Sequence, residues 1–241
     1  TAVYGSRATN GIIQVQTKKG KEGKASVEYD FNMSFAQPSI WPEKMGSYQR
    51  ALYANIAREN DGLDPLYDQA ALTAFQTGSD PLNFADTDWR KLVLNDWAPQ
   101  QKHTVRVTGG NESNRYYLSL GHIDQNSLYK NDNHWMKRTN FRVAQSANIE
   151  AIGLQINTAI DGYRQHQTHP YTSTADRYYG VFSHINNKYP NIPGVNKYGL
   201  PYNITDNPVA ETAKDAGYNR TISNVINGKG ELIWTVPWLK E

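Results

Sequence analysis

The stretch VEYDFNMSF, residues 27–35, alternates apolar and polar side chains without a break. The apolar positions are Val27, Tyr29, Phe31, Met33 and Phe35, and the polar positions between them are Glu28, Asp30, Asn32 and Ser34. Such alternation predicts a β-strand with one apolar face and one polar face. The fold depends on what lies against each of these two faces.

Five further segments repeat the alternating pattern less regularly and predict five more strands. They are residues 103–109, 115–123, 139–145, 151–161 and 230–239. Short turns follow the second and the fourth predicted strands, and the other connections are much longer. If the strands are antiparallel neighbours, all short turns fall on one edge of the sheet and all long loops on the other. This asymmetry is typical of outer-membrane barrels.

The composition allows two classes of all-β protein. Apolar residues make up 38% of the 241 residues and aromatic residues 12%, while the mean hydropathy is −0.72. Few apolar but many aromatic residues fit either a polar soluble β-protein or a barrel with a polar interior and aromatic girdles. The formal net charge of +2 gives no reason to expect a nucleic-acid partner, and the lack of cysteine excludes disulfides and thiolate metal sites.

The predicted strand length favours the barrel. Residues 25–35 would span about 37 Å, and a tilt near 45° reduces this to about 26 Å, close to the height of the apolar band of such barrels. Six strands cannot close a membrane barrel, whose practical minimum is about eight. We therefore expect either a soluble sheet or a barrel whose remaining strands lie elsewhere in a longer chain, and a first residue Thr1 rather than Met favours the second.

The long loops are predicted to contain helices. In residues 47–60, the spacing of Tyr48, Leu52 and Ile56 predicts an amphipathic helix. Residues 68–78 predict a second short helix that Gly78 ends. Residues 164–227 show no clear period and are interpreted as an ordered, aromatic-rich surface loop.

Several motifs resemble one family when they are taken in order. They are AVYGSRATNGIIQVQTKKGK (2–21), NDGLDP (60–65), GSDPLNFADTDW (78–89), VTGGNESNRYYLSLGHIDQNSLYKND (107–132), KRTNFRV (137–143) and GKGELIWTVPWLK (228–240). Together they resemble the SusC/RagA-like branch of the TonB-dependent outer-membrane transporters of Bacteroidetes. The resemblance implies an all-β fold, part of a transmembrane antiparallel β-barrel with the end of an internal plug domain and short helices in long extracellular loops. It divides the chain into the plug end (1–20), a linker (21–26) and about six barrel strands (27–241).

The resemblance also implies a function. It implies TonB-dependent import of an oligosaccharide or peptide across the outer membrane of a Gram-negative bacterium, with this chain in the SusC-like channel component. The implied partners are a SusD-like surface lipoprotein, outer-membrane lipid, and TonB through a segment outside this chain. A soluble β-sandwich that binds glycans is the alternative from another class, and a siderophore transporter is a nearer one.

Two groups of residues are candidates for functional roles. The plug motif contributes Tyr4, Gly5, Arg7 and Gly11, and Arg7 either pairs with an acidic group of the barrel wall or is a solvated turn residue. Aromatic loop residues are candidates for substrate binding, because flat rings stack on sugars and pack on peptides, although packing within the loops is the alternative. These residues are Trp41, Tyr171, Tyr178 and Tyr179, and the loops also carry Tyr189 and Tyr198.

Catalytic and metal-binding motifs are not expected. His166 and His169 are three residues apart in a predicted loop and could form a metal-binding pair, but we interpret them as solvated loop residues, since neither a partner carboxylate nor a third histidine is signalled. The sequence contains no nucleophile elbow, P-loop or metalloprotease motif. We therefore predict a protein that is not an enzyme and that needs no cofactor.

Overall fold

The computed structural model describes residues 13, 17–131, 134–171 and 180–236, and six long strands dominate this part of the chain. The strands are β1 (Gly23–Ala36), β2 (Ala98–Gly110), β3 (Asn114–Asn126), β4 (Trp135–Ile149), β5 (Leu154–Pro170) and β6 (Tyr218–Trp234). Each strand pairs antiparallel with the next, so the sheet follows the chain order β1-β2-β3-β4-β5-β6. The predicted six-stranded antiparallel sheet is therefore confirmed.

The connections are as uneven as the sequence predicts. Residues 111–113 join β2 to β3, and residues 150–153, with a 3-10 turn at Glu150–Ile152, join β4 to β5. The other three connections are longer and lie at the opposite edge of the sheet. The edge with the short turns and the edge with the long loops therefore differ as in outer-membrane barrels.

The register of the strands gives the sheet one apolar face. Residues that pair directly lie on the same face, and one row across the sheet consists of Val27, Val107, Leu118, Val143 and Ile160. A neighbouring row consists of Tyr29, Val105, Leu120, Phe141, Gly162 and Ile226. These side chains are largely uncovered, since Val27, Leu120 and Ile226 are 69%, 55% and 74% exposed. We call this surface the apolar face.

The apolar face runs diagonally across the paired rows. In β1 its apolar residues reach Phe35, which pairs with Pro99 towards the long loops. In β6 they reach Trp234, which pairs with Leu154 beside a short turn. When strands tilt relative to the membrane, an apolar band parallel to the membrane crosses each strand at a different position in the pairing register. The displacement agrees with the strand tilt of about 35–45° in membrane barrels.

The helices lie in the long connections. They are α1 (Ser47–Asn60), α2 (Gln69–Thr77), α3 (Trp89–Val93), α4 (Gly180–Asn187) and α5 (Pro208–Glu211). The Asp68 carboxylate accepts a hydrogen bond from the Ala71 N–H, and Gly78 ends α2 with a positive φ of 64°. Both predicted helices are therefore confirmed. Within the part of the chain that the structure describes, no helix is long and apolar enough to span a membrane.

The face of α1 that packs differs from the prediction. Ser47 and Ala51 are the buried residues of α1, whereas Leu52 and Ile56 are exposed. The Ser47 N–H donates to the Asp86 carboxylate at 2.8 Å, which brings this end of the helix close to the next loop. The small residues therefore face the loops, and the larger apolar ones face outward.

The two long connections share a small hydrophobic core. Trp89, Val93 and Leu94 pack with Val181 and Ile185, and all five are at most 5% exposed. We call this set the cap core, and we call the five helices with their surrounding connections the loop cap. The indole N–H of Trp89 donates to the carbonyl of Tyr189 at 3.0 Å, which also ties the two connections together. The described residues therefore bury their core in the loop cap and leave the apolar face of the sheet open.

Several predicted element boundaries are wrong, most of all those of the last two strands. β5 begins at Leu154 rather than at residue 151, and it continues to Pro170, so His166 and His169 lie in a strand. β6 begins at Tyr218, well before residue 230. These extensions pair with each other over many residues, from Arg164↔Asn224 to Pro170↔Tyr218. Hydrogen bonds between the two strands, rather than an alternating pattern, form this part of the sheet.

Candidate functional site

The polar face of the sheet is the first part of the candidate site. One row across it consists of Glu28, Arg106, Ser119, Arg142, Asp161 and Asn227. Arg106 pairs with Glu28 at 3.6 Å and with Asp30. Arg142 pairs with Asp161 at 2.7 Å, and the Asn227 amide donates to the same carboxylate at 3.1 Å. The row thus presents fixed, paired charges to whatever lies above this face.

The chain segment Thr17–Glu22 lies across this polar face. The guanidinium of Arg142 donates to the Thr17 hydroxyl at 2.7 Å and to the Lys18 carbonyl at 3.4 Å. The backbone N–H of Lys21 donates to the Thr108 hydroxyl at 3.1 Å. We call Thr17–Glu22 the wall segment, because side chains of three strands hold it against the sheet.

Two further contacts fix the end of the wall segment. A side chain at Gly20 would overlap the backbone of Tyr116, so only glycine allows this close approach. Glu22 pairs with Arg115 at 3.2 Å. Lys21 and Glu22 belong to the expected linker (21–26) and make specific contacts with the sheet, while the division of the chain into plug end, linker and barrel stays a prediction.

A cleft of about 510 Å³ lies between the wall segment and the polar face. Its lining includes Lys18, Arg138 and Tyr163. The Arg138 guanidinium stacks over the Tyr163 ring at 3.8 Å. This surface offers hydrogen-bond donors, acceptors and an aromatic ring, which are the groups that bind polar solutes such as sugars and peptides.

A second cleft, of about 480 Å³, lies in the loop cap beside Trp41. Trp41 is half-buried against the cap core, and the Arg90 guanidinium lies 5.0 Å from the centre of its ring. Burial lowers the pKa of Lys44, against an opposing effect of Asp88, and the Lys44 ammonium donates to the carbonyl of Ile185 at 2.8 Å. Trp41 therefore has a packing role, and one of its sides borders an open cleft.

The other candidate aromatics within the described residues do not line the cleft beside Trp41. Tyr171 is 63% exposed just after β5, and Tyr198 is exposed as well. The Arg50 guanidinium covers the ring of Tyr189 at 3.3 Å. Tyr178 and Tyr179, and the plug-motif residues Tyr4, Gly5, Arg7 and Gly11, lie outside the described residues. Substrate binding by these aromatics stays a prediction, as does the role of the plug motif.

The structure separates the two histidines that the sequence placed in a loop. His166 pairs with Lys137 and His169 with Asn219, and because they are three residues apart in one strand they point to opposite faces. The His166 ring packs edge-on against Trp135 at 4.7 Å. These two histidines therefore cannot both bind one metal ion.

Sequence reasoning missed the charged row on the polar face. Arg106, Arg142 and Asp161 each stand at a polar position of a predicted strand, but nothing in the sequence gives the register that brings them together. The available signal was that neighbouring predicted strands carry opposite charges at their polar positions. This signal identifies ion pairs only once the strand register is known.

Comparison with known proteins gives sequence relatives. No protein-family model matches the chain. The chain is 34% identical over 134 residues to the TonB-dependent receptor SusC of Bacteroides thetaiotaomicron, a match that covers 55% of this chain and 12% of SusC. It is 26% identical over 161 residues to a TonB-dependent receptor of Formosa agariphila, covering 65% of this chain and 15% of that protein. The matches thus cover less than a sixth of the length of these relatives.

Comparison with solved structures gives neighbours with a similar fold. The chain matches the RagAB peptide importer in its open-open state with a TM-score of 0.59 and 20% identity, over 85% of this chain and 24% of that chain. The closed-closed state matches with a TM-score of 0.56 and 18% identity, over 84% and 24% of the two chains. Identities this low show a shared fold, and the matched region includes most of the sheet and loop cap.

Proposed function

We propose that the chain is one segment of a SusC-like TonB-dependent receptor, as its 34% identity to SusC over 134 residues supports, and that it forms part of the wall and loops of a nutrient import channel. Receptors of this family are outer-membrane proteins of Gram-negative Bacteroidetes, and this chain shares that location. In this proposal the apolar face contacts lipid, the polar face lines the lumen, and the loop cap lies on the extracellular side.

The observation that carries the proposal is the contrast between the two faces of one sheet. Every residue of β1 is exposed, including the apolar residues from Val27 to Phe35. A water-soluble sheet would expose a continuous apolar surface of this kind only at great cost, whereas a bilayer covers it. The opposite face carries ion pairs and the wall segment, as expected for a lumen that contains a plug.

The same observation weighs against the soluble β-sandwich. A sandwich buries the apolar face of one sheet against a second sheet, and the described residues form a single six-stranded sheet. The diagonal course of the apolar face also has no role in a sandwich, but it follows directly from tilted strands in a barrel.

The proposed import is energised, and its substrate is an oligosaccharide or a peptide. TonB would act through a segment outside this chain, and a SusD-like surface lipoprotein would cover the extracellular side. The relatives are named as receptors and importers rather than as enzymes, which supports transport without covalent chemistry. The lining of the cleft at the wall segment suits either substrate class, because it combines charged groups with the Tyr163 ring.

Uptake by whole cells tests this function. Cells of the source bacterium, with and without the receptor gene, are given fluorescent oligosaccharides or fluorescent peptides, with and without a proton uncoupler. We expect one of the two mixtures to enter only when the gene is present and the membrane is energised. Equal uptake of both mixtures in the presence and absence of the gene would contradict the proposal.

Purification of the tagged full-length receptor tests the proposed partner. A membrane lipoprotein should purify with the receptor in a fixed ratio from detergent-solubilised outer membranes. A receptor that purifies alone under mild detergent, from cells that import the substrate, would contradict the proposed pairing.

A further inference from the structure

Three side chains with metal-binding atoms meet in the connection between β5 and β6. His184 belongs to α4, Asp206 lies in the turn before α5, and Glu211 ends α5. One ligand atom from each lies within 4.8 Å of the other two. His184 is buried and Asp206 is exposed, so the cluster reaches from the edge of the cap core to solvent.

The chemistry of the three donors indicates the kind of ion. One imidazole nitrogen and two carboxylates suit Zn²⁺ and similar transition ions, whereas Ca²⁺ and Mg²⁺ prefer oxygen ligands alone. We propose that His184, Asp206 and Glu211 bind one Zn²⁺-type ion, with solvent completing its coordination. The proposal does not depend on the transport function.

The His184–Glu211 pair requires only a small adjustment to hold an ion. The Nδ1 atom of His184 lies 2.8 Å from a carboxylate oxygen of Glu211. Two ligands of a tetrahedral zinc ion are about 3.4 Å apart. The two side chains would therefore separate by roughly half an ångström as the ion replaces the hydrogen bond between them.

The surrounding structure positions these ligands independently of an ion. Val181 and Ile185 anchor α4 in the cap core. The buried Asn207 amide donates to the carbonyl of Tyr202 at 2.8 Å, and its side-chain oxygen accepts from the Val209 N–H at 3.1 Å, which fixes the start of α5. An ion held between these two helices would cross-link them, as expected for a site on a rigid support.

Sequence spacing could not reveal this site. His184 and Glu211 are 27 residues apart, and the sequence analysis expected no metal ligands in this chain. The cluster forms only because α4 and α5 pack together beside the cap core.

Zinc binding to the purified full-length receptor tests the inference. A chelator first removes metal from the protein, which is then dialysed against Zn²⁺. Elemental mass spectrometry measures the amount of bound zinc, and competition with a chromogenic chelator measures its affinity. The test variants are Asp206→Asn and Glu211→Gln, and the matched control is Asp215→Asn, an exposed carboxylate of the same connection. We expect each test variant to bind at least tenfold more weakly at one site, and the control to bind like the unmodified protein.

The Asp206→Asn variant separates an ion site from a purely structural pair. Asp206 is exposed with a positive φ of 52°, which asparagine also adopts, so this variant should fold. Heat-dependent mobility on gels checks folding. Zinc binding that is absent in the unmodified receptor, or unchanged in Asp206→Asn, would overturn the inference and leave the His184–Glu211 contact as a simple hydrogen bond.

Discussion

The sheet and the loop cap use their apolar residues in opposite directions. In the loop cap, residues from connections about 90 positions apart turn inward and bury one another, as Trp89 and Ile185 do. In the sheet, most apolar side chains lie on one face, and many of them, from all six strands, are exposed. A core within the protein stabilises the loop cap, whereas the surface of the sheet is suited to a lipid environment. The difference shows that one chain can contain a region that buries its apolar residues away from water and a region whose apolar surface suits lipid.

Truncating a buried residue of the cap core should destabilise the protein much more than truncating an exposed residue of the apolar face. Replacing Ile185, 1% exposed, with alanine should lower the local stability of the loop cap by about 2–5 kcal/mol. The matched change Ile226→Ala on the apolar face, 74% exposed, should cost less than about 1 kcal/mol. Hydrogen exchange of the reconstituted receptor measures both effects. Equal losses in the two variants would mean that the apolar face is packed against protein.

Adjacent arginine substitutions in β2 should reveal which face meets lipid. Val105→Arg puts a charge on the apolar face and should cost about 2–4 kcal/mol in a bilayer. Thr104→Arg places the same side chain on the polar face opposite Asp30, so it should change stability by less than about 1 kcal/mol. Urea unfolding in phospholipid vesicles provides the comparison. A larger loss for Thr104→Arg than for Val105→Arg would reverse the assignment of the faces.

The wall segment offers a test on the polar side. Gly20→Ala should displace the segment, because its new Cβ would overlap the Tyr116 backbone. We expect a cost of about 1–3 kcal/mol and faster hydrogen exchange at the Lys21 N–H. Gly228→Ala is the control, since open space surrounds that position. If Lys21 exchanges equally in both variants, the wall segment is not held as the structure indicates.

Acid should weaken the packing around His134, which lies in the connection between β3 and β4. This histidine is 2% exposed, and neither ring nitrogen has a hydrogen-bond partner among the described residues, which omit 132 and 133. Burial, with a smaller effect of the nearby His169, lowers the pKa of His134 below its usual value, while the Tyr129 ring packs edge-on against it at 5.4 Å. The neutral form therefore favours the folded state, and stability falls as pH drops below the unfolded pKa of about 6.5.

The variant His134→Leu checks this pH dependence. Between pH 6.5 and 5, the unmodified protein should lose at most about 2 kcal/mol through this group. The leucine variant should lose less over the same range, as followed by protease cleavage of the loops at each pH. An equal loss in both proteins would assign the acid sensitivity to other groups.

Regular periodicity made much of the fold predictable. Alternation located all six strands, and Gly78 marked the end of α2. The extension of β5 from Arg164 to Pro170 was missed, because its side chains are polar on both faces and only pairing with β6 makes it a strand. The sequence holds no local signal for an extension of that kind.

The candidate site was less predictable than the fold. The meeting of Arg142 with Asp161 and Thr17 depends on strand register and on the path of the wall segment. The cap core likewise depends on packing between distant connections, and α1 packs through Ser47 and Ala51 rather than through the apolar row with Leu52 and Ile56 that predicted the helix. Both features arise from tertiary contacts, which a pattern of residues along the chain does not encode.

Solvent accessibility along β1 tests the central claim most directly. Single cysteines are placed at positions 27–35 of the full-length receptor in a cysteine-free background, and spin labels on them report collisions with oxygen in lipid and with a nickel chelate in water. We predict that positions 27, 29, 31, 33 and 35 contact oxygen, and that the positions between them contact the chelate or are shielded. Odd positions that are reached by the chelate, or that are buried from both probes, would contradict a lipid-facing sheet.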